Sequence, residues 1–146
     1  MTPRFRTTTF AEIEELPVVD GTIRWKPVRR TLGITAFGTN AYVADAGQEV
    51  VEPHDELGPD GAEGGGHEEL YVVVSGHARF TIDDEELDAP AGTLVFLPDP
   101  AAPRRAVAVQ DGTTVLAVGA QPGVPYRVSE WEERFVAEGR AAAGSD

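Results

Sequence analysis

The sequence predicts an all-β domain, a barrel or sandwich of antiparallel strands, followed by one C-terminal helix. Three observations carry this. Short segments rich in Val, Ile, Tyr, Phe and Thr recur between clusters of Gly, Pro and Asp, the punctuation of sandwiches and barrels. Residues 77–82 (HARFTI) alternate strictly, with Ala78, Phe80 and Ile82 on one face and His77, Arg79 and Thr81 on the other. A helical period shows only late, over 129–139 (SEWEERFVAEG).

The elements follow in order. A strand is expected at 6–10 and a short helical turn at 11–16, before Pro17. Residues 24–28 and 33–37 are expected as strands around the Arg29-Arg30 pair, and 39–44 (TNAYVA) is rich in β-formers. A turn at 45–47 leads into a strand at 48–52. The stretch 54–66 (HDELGPDGAEGGG) holds five glycines, a proline and four acids, so it is a loop, and a long one for a compact domain. Residues 68–75 form the clearest strand, carrying Tyr71 and three consecutive valines, and Gly76 ends it. Asp83-Asp84 turns the chain into 85–88, and 93–97 is expected as a buried strand stopped by Pro98. Residues 106–110 and 113–118 are expected as a hairpin across Asp111-Gly112. The helix at 129–139 has Ser129 as N-cap and Glu132 in place to complete a capping box. Trp131, Phe135 and Val136 would form its buried stripe, and 140–146 would fray. Tyr71, Phe80 and Phe96 are expected in the core.

Length and charge bound the function. The 146 residues suit one domain, read as an N-terminal arm with lead-in strands (1–30), a barrel (31–125) and a C-terminal helix with tail (126–146). A formal net charge of −13 disfavours nucleic-acid and anionic-membrane partners. No apolar run is long enough to span a bilayer, and the first residues lack the apolar centre of a signal peptide, so a cytoplasmic location is expected. With no cysteine, a metal site here must use histidine, carboxylate or main-chain oxygen.

Two stretches carry the chemistry: HEELYVVVSG at 67–76 and GTLVFLP at 92–98. Six residues separate Glu69 from Gly76, and five separate Gly92 from Pro98. These spacings resemble the two motifs of the cupin superfamily, and EPHDEL and DAPAGTLVFLPDP are similar to small single-domain bacterial cupins. The resemblance covers roughly residues 40–120. It implies a cupin-type double-stranded β-helix (a jelly-roll barrel) of antiparallel strands, with the glycines at tight turns. It also implies a homodimer, paired through edge strands and terminal arms.

Carried over residue by residue, Glu69 takes the motif glutamate, and Gly76, Gly92 and Pro98 the structural positions. The two motif histidines, four and six residues before Glu69, fall on Gly65 and Glu63. The second-motif glycine, histidine and asparagine positions hold Pro100, Pro103 and Val107. His67 lies two before Glu69 and shares its face with Tyr71 and Val73. His54 ends the preceding strand, where cupins place their first histidine. His54, His67 and Glu69 are therefore expected to converge across the loop as a two-histidine, one-carboxylate set suited to Fe(II), Mn(II), Zn(II) or Ni(II). Glu63, Glu52 and Glu56 are reserve ligands. Solvated histidines beside acids are the plainer alternative.

Arg104 and Arg105 stand beside the replaced second-motif histidine. They either grip an anionic substrate or pair with the protein's own acids. Tyr71 would serve the core or a small-molecule pocket. Three functions stay open. The first is a metal-dependent enzyme of oxygenase, isomerase or lyase type with Glu69 as ligand or base. The second is a metal-free cupin that binds a small anion without catalysis. The third is metal-free acid–base catalysis by His67 and Glu69.

Overall fold

The computed structural model describes residues 3–57 and 66–144. Ten strands and two helices follow the chain: β1 (Leu16–Val18), β2 (Ile23–Lys26), α1 (Val28–Leu32), β3 (Gly38–Ala44), β4 (Glu49–His54), β5 (Glu68–Ser75), β6 (His77–Ile82), β7 (Glu85–Pro90), β8 (Leu94–Leu97), β9 (Arg104–Ala108), β10 (Thr113–Ala120) and α2 (Glu130–Gly144). They build a six-stranded sheet, β1-β2-β3-β10-β5-β8, and a four-stranded sheet, β4-β9-β6-β7. Their ladders are antiparallel.

The inner faces of the two sheets meet over one core. Val50, Val51, Ala78, Phe80 and Ala106 come from the smaller sheet, and Tyr71, Val73, Val95, Leu97 and Val115 from the larger. Period-two alternation decides which side chains enter, and Tyr71 packs against Phe80 with ring centroids 5.4 Å apart. Gly76 turns the chain from one sheet to the other at φ +77°, and a Cβ there would lie 2.7 Å from Thr113 Cα. Only glycine fits both the left-handed backbone and the close approach.

The larger sheet extends beyond the smaller one, and its overhang is covered differently. Trp25 pairs in register with Tyr42, which places it on the inner face. There α2 takes the place of missing strands: Trp25 meets Trp131 and Phe135 edge-on at 5.9 and 5.5 Å, and Val136 completes the cluster. The expected stripe of Trp131, Phe135 and Val136 is thus the packed face of α2. On the outer face, Ile13, Val28 and Leu32 cover Ala41 and Leu116.

Several local expectations are corrected. Residues 6–10 and 33–37 form no strand, and Val28 opens α1. A basic pair inside a short helix leaves no period to detect, and α1 exists because Val28 docks on the sheet and Arg29 reaches α2. The segments flanking Asp111-Gly112 are not a hairpin: β9 pairs with β4 and β6, whereas β10 pairs with β3 and β5. The turn is real, with Gly112 at φ +70°, but it carries the chain between sheets. Asp45 accepts hydrogen bonds there from Gly112 N at 3.0 Å and from Arg24, which hold its carboxyl below the usual range. The strand at 93–97 is an edge strand with alternating burial, and Phe96 is 57% exposed rather than core. Glu132 completes no capping box. Its carboxylate is buried and takes the Arg29 guanidinium Nε at 2.9 and 3.1 Å. The helix runs on to Gly144 instead of fraying from 140.

Candidate metal centre

The two sheets bring their polar side chains together at one open end of the barrel. His54 ends β4 and lies opposite Arg104, the first residue of β9. Glu69 enters from the facing sheet, where its strand neighbours are Leu97 and Gly119. Glu56 lies two residues past His54 and is held by its backbone. Its N–H donates to Pro100 O at 2.8 Å, and its carbonyl accepts from His67 N–H at 3.3 Å.

Ligand atoms of His54, Glu56 and Glu69 all lie within 4.8 Å of one another. His54 Nε2 is 2.8 Å from Glu56 Oε1 and 3.9 Å from Glu69 Oε1. On the other side of the ring, Nδ1 lies 2.7 Å from Glu52 O. That carbonyl accepts a hydrogen bond from Nδ1–H, which leaves Nε2 as the nitrogen that faces the carboxylates.

The charges are strongly coupled. Burial and the neighbouring Glu56 charge push the Glu69 carboxyl up to about 7, against the weaker downward pull of Tyr71 and of the His54 and Arg104 charges. For Glu56, burial acts upward, but the hydrogen bond and charge of His54 outweigh it, and the net shift is downward. For His54, burial acts downward, but its bonds to Glu56 and the Glu52 carbonyl and the nearby carboxylate charges raise it overall. Two facing carboxylates with too little positive charge between them form the electrostatic setting for a divalent cation.

Of the residues singled out from the sequence, His54 and Glu69 lie in this group. His67 stands one step outside, with Nδ1 3.9 Å from Glu56 Oε2 and its ring 5.8 Å from that of Tyr126. Glu56 takes the third place in its stead. Spacing measured from Glu69 crosses the Gly-rich loop, whereas His54 and Glu56, one residue apart, both lie on its near side. Among the reserve ligands, Glu52 contributes its carbonyl, and Glu63 lies outside the described residues. The Gly-rich loop itself, expected as a functional segment, falls mostly outside them as well.

Arg104 is wholly buried and bound to the protein. Nη1 reaches Glu69 Oε1 at 3.2 Å, and Nε and Nη2 donate to the carbonyls of Ala102 and Asp99. Arg105 points out of the barrel and pairs with Glu49 Oε1 at 2.9 Å. Tyr71 is buried beneath Glu69, where burial and then the Glu69 charge push its phenol well up.

The donor set suits a cation of borderline to hard character: one imidazole and two carboxylates, which together balance a divalent charge. Geometry and metal availability, not raw affinity, would decide among Mn(II), Fe(II), Zn(II) and Ni(II) at such a set.

No family model matches this sequence, and no curated protein matches it. Solved structures do. A cupin protein from Bacteroides fragilis is 18% identical, with 88% of this chain and 93% of that one covered and a TM-score of 0.58. An RmlC-like cupin from Desulfovibrio desulfuricans is 23% identical over 81% of this chain and 98% of that one, with a TM-score of 0.61. A sugar phosphate isomerase of the cupin superfamily from Silicibacter pomeroyi is 18% identical over 81% and 75%, also with a TM-score of 0.61. The fold of this chain is a cupin barrel.

Proposed function

With the cupin barrel as premise, we propose that this protein binds one divalent cation through His54, Glu56 and Glu69 and acts on a small organic molecule at the barrel mouth. The observation that carries the reading is the three ligand atoms within 4.8 Å of one another, two of them carboxylates, Glu69 on β5 and Glu56 just past the end of β4. A divalent ion there would polarise a substrate carbonyl or enolate oxygen. The chain's own groups orient and move protons. Glu52 O fixes the His54 tautomer, and Arg104 holds Glu69 in place. His67, one step out from Glu56, is placed to exchange a proton with a substrate at the mouth. The neighbour named as a sugar phosphate isomerase supports isomerisation as one reaction the fold accommodates, and the site's own groups supply the rest of the argument.

A second reading has its own observation. Glu69, with a carboxyl near 7, has the proton affinity of a general acid or base without any metal. The reading of an anion held by Arg104 loses support, because that guanidinium is engaged by Glu69 and two carbonyls.

Elemental analysis of untagged protein separates these readings. We expect close to one divalent ion per chain after loading with Mn(II), Fe(II) or Zn(II), and its loss in both His54→Ala and Glu56→Gln with folding intact. A barrel that stays empty after loading, or that keeps its metal in Glu56→Gln, overturns the metal reading.

We further propose a cytoplasmic homodimer. Among the described residues no helix is long and apolar enough to cross a membrane.

A further inference from the structure

A cavity of about 280 Å³ opens beside the candidate metal centre, lined by His67, Gln121, Val124, Pro125, Tyr126 and Arg127. It sits at the small end of the size range of ligand sites, about 300–1,000 Å³. His67 connects the two places, lining the cavity while its Nδ1 lies 3.9 Å from Glu56. The Tyr126 ring forms a wall against His67. Gly38 makes room for it, because a Cβ on Gly38 would lie 2.8 Å from the Tyr126 hydroxyl.

Arg127 is the distinctive group. In a chain of 25 acids and 12 Lys or Arg, eight of those cations hold a carboxylate within 4.0 Å. Arg127 has no hydrogen bond or ion pair among the described residues, and it is exposed at the cavity. An unpaired guanidinium at a concave site, in a protein whose overall field repels anions, supplies the local attraction an anion needs.

We propose that this cavity binds a small organic carboxylate, with Arg127 holding the carboxylate and the other end of the molecule directed past His67 to the metal centre. The proposal deepens the function above and rests on it for the role of the far end, though not for binding itself. Carboxylate is favoured over phosphate because one guanidinium matches one carboxylate. Val124, Pro125 and the Tyr126 ring suit an organic body rather than a bare dianion. Arg104 and Arg105 are not available to assist, the first engaged inside the barrel and the second turned outward.

The test is a titration of the folded protein with sodium malonate, neutral malonamide and inorganic phosphate, followed by nitrogen–proton correlation NMR that includes the arginine Nε signals. It is run on wild type, Arg127→Gln and Gly38→Ala, metal-free and Mn(II)-loaded. Malonate is expected to bind and shift the Arg127 Nε signal, with malonamide silent and phosphate weaker. Arg127→Gln should weaken malonate by at least about tenfold, the scale of a lost charged hydrogen bond, at an unchanged melting temperature. Gly38→Ala should weaken it too, by displacing Tyr126.

Malonate affinity within about twofold of wild type in Arg127→Gln, phosphate binding as tightly as malonate, or no malonate binding at all would overturn the proposal. Malonate binding through Arg127 in a protein that loads no metal would sustain this inference while the metal reading fails. Metal loading with malonate indifferent to Arg127 would do the reverse.

Discussion

At the scale of single residues, the site is defined by how burial sets proton affinities. Glu69 ionises near 7 in the folded protein and near 4.5 when unfolded, because burial and the Glu56 charge disfavour its carboxylate. The folded state therefore holds a proton that the unfolded state has released, and metal-free stability falls as pH rises from the unfolded value through about 7. His54, raised above its usual 6.5, acts in the same direction: its stabilising charge is present below that value and is lost as pH climbs through the raised one. We expect the metal-free melting temperature to drop as pH rises from about 4.5 through about 7, and the drop to shrink in Glu69→Gln, whose amide cannot ionise. An equal drop in that variant would show that the pH response lies elsewhere. Metal binding runs the opposite way, strengthening with pH, because a cation needs Nε2 and both carboxylates deprotonated.

At the scale of elements, the link between the two helices is a buried ion pair. Glu132 lies in the first turn of α2 and is 1% exposed, and its carboxylate is bound by Arg29 of α1, whose side chain is 11% exposed. Removing one member leaves the other charge buried and unpaired, so Glu132→Ala should lower stability by about 3 kcal/mol in denaturant unfolding. Its sequence neighbour provides the control. Glu133 pairs with Arg30 in solvent, and Glu133→Ala should cost less than about 1 kcal/mol. Equal effects from the two would refute the account of α2 docking. Residues 129–139 show a helix and its apolar stripe plainly in sequence. The partner of Glu132 is invisible there, because it lies 103 positions away.

At the scale of the whole molecule, the larger sheet leaves one face uncovered. Beyond the part shielded by α1, its outer surface shows Leu94 at 64% exposure and Phe96 at 57%, with Phe37, Leu70 and Val118 forming a shallow apolar depression beside them. Two copies each carrying −13 pair most readily across a charge-poor surface, and among the residues lining this depression Glu68 alone is charged. The proposed homodimer uses this face, with β8 at the sheet edge. Light scattering after size exclusion should report a dimer for wild type and a monomer for Phe96→Glu with an unchanged fold. A wild-type monomer, or a Phe96→Glu dimer, would place the contact elsewhere or remove it.

What the sequence determined by itself was local or set by short spacing. Alternation at 77–82 and the valine-rich strand at 68–75 lead directly to an all-β sandwich or barrel, since side-chain periodicity needs only neighbouring residues, and the glycine and proline spacings narrow this to the cupin barrel through their resemblance to its motifs. The motif resemblance, not local periodicity, put His54 and Glu69 together, and the fold sets His54 Nε2 3.9 Å from Glu69 Oε1. The tertiary structure alone decided the rest. It set which strands flank Asp111-Gly112, because a two-residue turn does not specify the sheet its arms join. It turned Phe96 outward, because an apolar run does not say whether a strand lies at an edge. It brought Glu56, rather than His67, within 4.8 Å of His54 and Glu69, because the backbone bonds of Glu56 to Pro100 and His67 hold its base in place, which spacing along the chain does not show. Distances through space, not along the chain, determine which charges meet.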